Sequence, residues 1–338
     1  SGLVHKGMTY DTGWGGATGE LSRLVWQTEF MEREIAAIRD ELHCTSISVH
    51  GTDLDRLRAA ATTAAELGLN VWIQPRLIYA PRVETIDHMV ETARIAEELR
   101  RQGASVTMTL GAEHILFAGE IIPGATFDER VAALIGNPRR LPAYMQEVND
   151  LLGDAVAGVR GIFAGQLTYG AASDEAVEID WSIFDVVGLN HYLSADNRAT
   201  YVEDLRAFRR FDKPIVITEF GSCSYEGANE AGGMGWDIYD LDKNPPEIRP
   251  GYVRNEQVQA DYIAEILAIF EAEKLHGAFV YIFTEEAPHS PDPRYDYDMA
   301  SYGIVKIYED GSENSYSASG YWEPKRAFHE IATIYGAG

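Results

Sequence analysis

Two glutamates in this sequence each end a run of residues that is typical of a buried β-strand. Glu219 lies within KPIVITEFG at 213–221, and Glu113 ends SVTMTLGAE at 105–113. A carboxylate is costly to bury in a core, whereas the carboxyl ends of parallel strands are where α/β proteins usually bind ligands. Two carboxyl groups on opposite sides of one pocket could act as acid/base and as nucleophile at a glycosidic bond. Either glutamate could instead cap a helix or pair with an arginine.

Most other predicted strands also end on polar or aromatic side chains, which would surround the same pocket. The strand-end candidates for binding a substrate are Asp11, His50, Arg76, His114, Asn190, Tyr192 and Glu285. Two loop tryptophans, Trp14 and Trp236, could stack on the face of a sugar, although such side chains more often serve packing. Arg76 could bridge acidic neighbours, but we favour a role in orienting a nucleophile because a nearby guanidinium stabilises an ionised carboxylate.

Three histidines at strand ends, His50, His114 and His191, could together supply a metal site. They come from three different strands and show neither the HxH nor the HExxH spacing that places two histidines on one metal. The acidic loop at 292–298 lacks the EF-hand pattern and is predicted to be solvated. We therefore predict no metal and no cofactor.

The elements that must position these residues alternate regularly along the chain. Predicted strands cover 6–11, 44–50, 69–76, 105–113, 166–171, 185–192, 213–221 and 277–283. Predicted helices cover 29–42, 53–67, 83–101, 128–136, 142–163, 201–211, 255–275 and 324–334. Alternation with nearly continuous apolar strands predicts an α/β protein with a parallel sheet covered on both sides, and eight strands favour a (β/α)8 TIM barrel. We find no linker, so we predict one domain over 1–338 with long loops after strands seven and eight.

Composition restricts the partners of the protein. The chain has 338 residues, of which 46% are hydrophobic, and its 53 acidic and 28 basic residues give a net charge of −25. Such a charge disfavours nucleic acid and anionic membranes and suits a neutral or cationic ligand. The start SGLVHKG lacks the hydrophobic region of a signal peptide, and its first two residues could remain from a tag, so both a cytoplasmic and a secreted location stay open. Cys44 and Cys223 show no metal-binding spacing and allow at most one disulfide.

The strand ends resemble those of the large clan of retaining glycoside hydrolases built on a (β/α)8 barrel. ITEFG at 217–221 is similar to the strand-seven signature of that clan, and DVVGLNHYL at 185–193 is similar to its strand-six signature. Within the clan, the run at 165–193 is most similar to family 113, the β-mannanase-like group. The resemblance implies that Glu113 is the acid/base, that Glu219 is the nucleophile, and that the strand-six tyrosine donates a hydrogen bond to that nucleophile.

Two positions depart from the pattern of the clan. Ala112 precedes Glu113, where most members carry an asparagine that binds the sugar 2-hydroxyl group. The tryptophan that often ends strand eight is replaced by Phe283 or Thr284 in our reading. We predict that another side chain reaches the 2-hydroxyl group beside Glu113, and that activity on simple aryl glycosides is weak. The candidates for this contact are His50, Gln74 and His114.

These observations predict a retaining glycoside hydrolase that acts on a β-linked, neutral sugar. Its partner would be a small-molecule or oligosaccharide substrate, with neither nucleic acid nor membrane involved. Glu113 would have to be protonated before reaction and Glu219 ionised, with Tyr192 and Arg76 as hydrogen-bond donors to Glu219. Two alternatives stay open. One is a non-catalytic barrel, derived from a glycosidase, that binds a carbohydrate or a partner, and the other is a lyase or aldol-type enzyme.

Overall fold

The computed structural model describes residues 2–16, 19–309 and 320–338. In this part of the chain, eight parallel strands close into a barrel with the order β1-β8-β7-β6-β5-β4-β3-β2. The strands are β1 His5–Asp11, β2 Ser46–Gly51, β3 Asn70–Pro75, β4 Val106–Ala112, β5 Gln166–Ala172, β6 Val187–Asn190, β7 Ile215–Phe220 and β8 Gly277–Val280. The predicted (β/α)8 barrel is therefore confirmed.

Helices follow the strands and cover the outside of the barrel. They are α1 Thr28–Asp40, α2 Leu54–Glu66, α3 Arg82–Arg101, α4 His114–Phe117, α5 Phe127–Gly136, α6 Leu141–Arg160, α7 Ser173–Ala176, α8 Tyr201–Ala207, α9 Ala228–Ala231, α10 Glu256–Ala272 and α11 Arg326–Gly336. Apolar side chains on the inner faces of the long helices, such as Ile35 of α1 and Ile263 of α10, join the outward-facing strand residues in one core. This packing explains why the strands are apolar on both faces.

Several predicted elements are shorter than the sequence indicated, among them one helix and one strand of the barrel. The helix predicted at 201–211 ends its α-helical part at Ala207 and continues as a 3-10 turn. The strand predicted at 185–192 is reduced to β6, because its pairing with β7 shifts register between Leu189 and Asn190. That shift places Asn190 opposite Glu219, so the irregularity lies directly at the pocket described below.

The interior of the barrel is filled at the amino-terminal ends of its strands. Trp72, Val186, Val216 and Phe279 form a separate buried cluster there. The ring of Phe279 lies against Gly7 so closely that a Cβ atom at this position would come within 2.2 Å of it. The barrel is thus a packed core at this end, which leaves its other end for a ligand.

The long segments after β7 and β8 pack against each other rather than extend as isolated loops. They share a second hydrophobic cluster, whose buried members are Cys223, Tyr225, Ala228, Ile238, Ile248, Ile282, Met299, Ala300 and Tyr302. Cys44 and Cys223 are both buried free thiols. Across the described residues, no helix combines the length and the apolar composition that crossing a bilayer requires.

Candidate active site

A pocket of about 610 Å³ opens at the carboxyl ends of the strands. Glu113, which directly follows β4, and Glu219, within β7, both line it. Strands β5 and β6 separate β4 from β7 in the barrel, so the two side chains approach the pocket from different sides. Both carboxyl groups thus face one cavity, which is the first requirement for a catalytic pair.

The backbone of Glu113 has a conformation that residues other than glycine rarely adopt. Its φ angle is +49°, in the left-handed region, where a non-glycine residue carries strain of order 1 kcal/mol. Hydrogen bonds hold it there, since its N–H donates to the carbonyl of Gly170 and its carbonyl accepts from Leu116 and Phe117. The strand-to-helix turn therefore fixes the point from which the Glu113 side chain enters the pocket.

Burial is the largest cause that raises the pKa of Glu113, which lies at about 8. The negative charges of Glu219 and Glu175 contribute to this rise, whereas the positive charge of Arg76 opposes it. A carboxyl group in these surroundings keeps its proton at neutral pH, as a general acid must.

A buried carboxylate on α7 supports the turn that carries Glu113. Oε2 of Glu175 accepts hydrogen bonds from the backbone N–H of Ile115 at 3.1 Å and from the hydroxyl of Tyr169 at 2.7 Å. That hydroxyl in turn accepts from the backbone N–H of His114 at 2.6 Å. Burial raises the pKa of Glu175 to about 7. Sequence reasoning missed this residue, although an acidic residue at the start of a short helix is a recognisable signal.

Glu219 is held by a donor on each of its two oxygens. The hydroxyl of Tyr192 donates to Oε1, as expected, and the amide of Asn190 donates to Oε2 at 3.1 Å. The hydroxyl of Thr218 donates a hydrogen bond to Oδ1 of Asn190 at 2.7 Å and so fixes the orientation of this amide. We expected Asn190 to contact the substrate, whereas the structure directs its amide to Glu219.

The hydrogen bond that we expected from Arg76 to Glu219 is not formed. The guanidinium lies over the ring of Trp14, with 4.4 Å between its Cζ atom and the ring centre. Within the described part of the chain its side chain donates no hydrogen bond, and its Nε is buried without a partner. Burial opposes the charge of Arg76, but Tyr281, Glu219 and Glu113 raise its pKa above the usual value. Arg76 therefore acts on the two glutamates as a nearby positive charge.

Asp11 organises the loop after β1. Its Oδ1 accepts from the N–H of Gly13 at 2.7 Å, its Oδ2 accepts from Ser22 at 2.6 Å, and Nε2 of His50 lies 3.4 Å from Oδ1. Burial disfavours the charge, but these contacts hold the pKa of Asp11 below its usual value. Ser22 also binds the N–H of Trp14, so Asp11 indirectly places that ring at the pocket.

The three strand-end histidines are not brought together and do not line the main pocket. Each ring is stacked on a tyrosine, as in the pairs His50–Tyr281, His114–Tyr169 and His191–Tyr201. The structure therefore gives no support to the direct substrate contacts that we predicted for His50 and His114. His114 is turned away because its Nε2 bonds the carbonyl of Leu110 at 2.8 Å. The described residues contain no cluster of three or more histidine, cysteine or acidic side chains that could hold a metal ion.

The aromatic residue that β8 presents to the pocket is Tyr281, not Phe283 or Thr284. Phe283 lies in the main core, and Thr284 is buried. Strand alternation alone does not select Tyr281, since it gives Phe279, Tyr281 and Phe283 the same side. We placed the end of the strand too late. Glu285 lines the pocket as predicted, and burial raises its pKa to about 7.

Four aromatic rings form a continuous chain at the pocket. Trp14 meets Phe117 at 6.0 Å, Phe117 meets Phe127 at 5.7 Å, and Phe127 meets Trp236 at 5.6 Å between ring centres. All four line the pocket. The two tryptophans are thus placed where the sequence predicted them, and the two phenylalanines were missed because they lie in helices.

No protein-family model and no curated protein sequence matches this chain. Solved structures do resemble it. A GH113 β-1,4-mannanase superposes with a TM-score of 0.63 at 16% identity, over 99% of this chain and 100% of that one. The GH113 β-mannanase AaManA from Alicyclobacillus acidocaldarius gives 0.57 at 16% identity, over 99% and 98%.

A third similar structure comes from another glycoside hydrolase family. PbGH5A, a family 5 enzyme from Prevotella bryantii B14, gives a TM-score of 0.57 at 9% identity, over 98% of this chain and 96% of that one. Identities this low show a shared fold alone. The fold of this chain is therefore that of the (β/α)8 glycoside hydrolases related to families 113 and 5.

Proposed function

We propose that the protein is a retaining glycoside hydrolase that cleaves a β-linked, neutral sugar. The observation that carries this proposal is the contrast between two carboxyl groups in one pocket. Glu113 is kept protonated by burial, while Glu219 accepts hydrogen bonds on both oxygens. A proton donor opposite an oriented carboxylate is the pair that double displacement requires.

In the first step, Glu113 gives its proton to the glycosidic oxygen while an oxygen of Glu219 attacks the anomeric carbon. The bond between that carbon and the leaving oxygen breaks, and the sugar becomes an ester of Glu219. In the second step, Glu113 takes a proton from water, the water oxygen attacks the same carbon, and Glu219 is released. Asn190 and Tyr192 hold Glu219 in place as its charge falls and then returns.

The charge of the pocket supports a neutral substrate. Asp174, Glu285 and the two central glutamates line it, against the single guanidinium of Arg76. An anionic group on the sugar would be repelled by these acidic side chains in a poorly solvated site. The similar GH113 structures are those of β-mannanases, which supports β-linked sugars as the class to test first.

The proposal is tested by incubating the protein with aryl β-mannosides and β-glucosides and following the first-formed anomer by proton NMR. We expect the first product to be the β anomer, which converts only later into the equilibrium mixture of α and β anomers. Glu219→Gln should abolish hydrolysis. An α-configured first product would contradict retention, and equal activity of the Glu219→Gln protein would remove Glu219 from the mechanism.

Glu113→Gln provides an independent test of the acid role. A dinitrophenolate departs without being protonated, whereas an alkoxide departs only if the general acid protonates it. The variant should therefore retain formation of the glycosyl ester from dinitrophenyl glycosides while losing activity on alkyl glycosides. Binding without any turnover of either substrate by the unaltered protein would favour the non-catalytic alternative.

A further inference from the structure

The pocket has two chemically different sides. The side beyond Glu113 is formed by α4 and α5 and is apolar throughout, with Leu116, Phe117, Phe127, Val131, Leu134 and Ile135 lining it. On the side of β8 and β1, a smaller cavity of about 250 Å³ adjoins the pocket and shares Trp14, Trp236, Tyr281 and Glu285 with it. That cavity also contains three further polar side chains, those of Asp11, Ser22 and Glu286.

The positions of these two sides relative to Glu113 determine which part of a substrate each one holds. An acid/base glutamate must touch the oxygen that leaves. Glu113 leads directly into α4, so the apolar side begins three residues beyond it. In the barrel, β4 and β8 are separated by three strands on either path. The leaving group therefore lies against α4 and α5, and the sugar that is retained lies toward β8 and β1.

We propose that the leaving group is an apolar alcohol or phenol rather than a second sugar. This inference rests on the proposed glycosidase function and specifies its substrate class. A sugar placed against α5 would bury hydroxyl groups beside aliphatic side chains that cannot hydrogen-bond, which costs free energy for each unpaired group. An alkyl or aryl group would instead be removed from water without such a loss.

The exposure of the apolar side supports the same conclusion. Ile135 on α5 is 74% exposed, and Met234, which faces the same pocket from the insert after β7, is 43% exposed. Exposed apolar side chains at the rim of the apolar side of a concave pocket are characteristic of a surface that a ligand covers. A bound aglycone would cover both.

The test measures kcat/KM for β-mannosides and β-glucosides with methyl, butyl, hexyl and octyl leaving groups, below the concentration of micelle formation. Mannobiose and cellobiose serve as the sugar-leaving-group comparison. Each buried methylene should raise kcat/KM about two- to fourfold until the apolar side is covered. A flat series, or disaccharides hydrolysed faster than the octyl glycoside, would overturn the proposal.

Two substitutions on α5 locate the effect. Ile135→Gln and Val131→Gln should flatten the rise of kcat/KM with chain length, because they replace apolar contacts with the aglycone by polar groups. Ala132→Gln on the exposed side of the same helix is the matched control and should preserve the series. If kcat/KM still rises steeply with chain length in both pocket variants, the aglycone binds elsewhere.

Failure of this inference can be told apart from failure of the proposed function. If disaccharides are cleaved without preference for apolar groups, the function stands and the inference falls. If no glycoside is cleaved, calorimetric titration of the protein with the same alkyl glycosides still tests whether the pocket has an apolar binding side. Affinity that rises with chain length and is lost in Ile135→Gln would support an apolar binding side, and affinity independent of chain length would overturn it.

Discussion

Glu113 and Glu219 carry the same functional group, but they meet different surroundings. Glu113 follows a strained turn, and burial together with neighbouring negative charge favours its protonated form. Glu219 instead receives hydrogen bonds from Tyr192 and Asn190. The division of roles between them therefore comes from their environments, since the two side chains are chemically identical.

The pH dependence of hydrolysis should report on Glu113. Because its pKa is raised to about 8, the proton required for the first step is present below that pH and is lost above it. We expect kcat/KM to fall as the pH rises through about 8, measured on an alkyl glycoside. In Glu113→Gln, the formation of the glycosyl ester from a dinitrophenyl glycoside, which that variant should retain, should show no such limb. Activity that stays constant up to pH 10 would contradict this assignment.

Tyr192→Phe should slow turnover more than it weakens binding. The lost hydrogen bond goes to a carboxylate, and such bonds are worth about 1.5 to 3 kcal/mol, which corresponds to a loss of about 10- to 100-fold in kcat. Tyr335→Phe is the control, since its hydroxyl bonds the carbonyl of Gly7 far from the pocket. Equal kcat values for Tyr192→Phe and the unaltered protein would exclude Tyr192 from the mechanism.

Sequence reasoning succeeded for residues whose strand position alone fixes their direction, such as Glu113, Glu219 and Tyr192. It failed where the direction depends on packing partners that the sequence does not reveal. His114 is drawn away by the carbonyl of Leu110 and the ring of Tyr169. Arg76 is drawn onto Trp14, a residue of a distant loop.

Among the elements, the short helix α7 acts on the site through Glu175, a residue that does not itself line the pocket. This carboxylate bonds the N–H of Ile115 and, through Tyr169, the N–H of His114, which are the first residues of α4. Because α4 begins at the Glu113 turn, we regard Glu175 as a positioning residue for the acid. Its charge also contributes to the raised pKa of Glu113.

Glu175→Gln tests this role with two readouts. Glu175 accepts hydrogen bonds on both oxygens, Oε2 from Ile115 and Tyr169 and Oε1 from the N–H of Ala172. An amide replaces one of these acceptors by an NH2 donor, so misplacement of Glu113 should lower kcat by up to about 100-fold. Removal of the charge should also move the alkaline limb of the pH profile to lower pH. Glu178→Gln, an exposed neighbour, is the control. A variant with an unchanged alkaline limb and lower thermal stability alone would indicate a purely structural residue.

The barrel elements could be predicted because alternation and helical spacing are local signals. The segments after β7 and β8 could not be predicted in the same way, since their cluster joins residues far apart in sequence, such as Tyr225 and Tyr302. The loop at 292–298 illustrates this limit. We expected it to be solvated, but Asp296 and Asp298 are 2% and 1% exposed.

At the scale of the whole molecule, a buried ion-pair network joins three distant segments. Asp298 pairs with Arg254 at 2.7 Å and with Lys325 at 3.0 Å, and Asp296 pairs with His289 at 2.8 Å. Arg254 belongs to the insert after β7, Asp298 to the segment after β8, and Lys325 precedes α11. On this basis we propose that 1–338 acts as one catalytic unit.

Lys325→Met should destabilise the protein strongly. Lys325 is fully buried, so its removal leaves the charge of Asp298 only partly compensated. We expect the free energy of unfolding to fall by about 3 to 5 kcal/mol, measured by urea denaturation. Arg58→Met breaks the exposed Arg58–Glu98 pair and should cost less than about 1 kcal/mol. Similar losses in both variants would contradict a special role for the network.

The contact between Phe127 and Trp236 links α5 to the insert after β7 across the pocket. A polysaccharide laid across an active site needs a trough that is open at both ends, and we infer that a contact of this kind blocks such a trough. Only the end of a chain, or a small glycoside, can then be threaded beneath it. A soluble β-mannan, whose leaving group is itself a sugar, should therefore be cleaved slowly and only from its ends, so that reducing ends accumulate while the viscosity of the solution hardly falls. A rapid fall in viscosity at the same extent of cleavage would mean that this contact opens to admit internal segments.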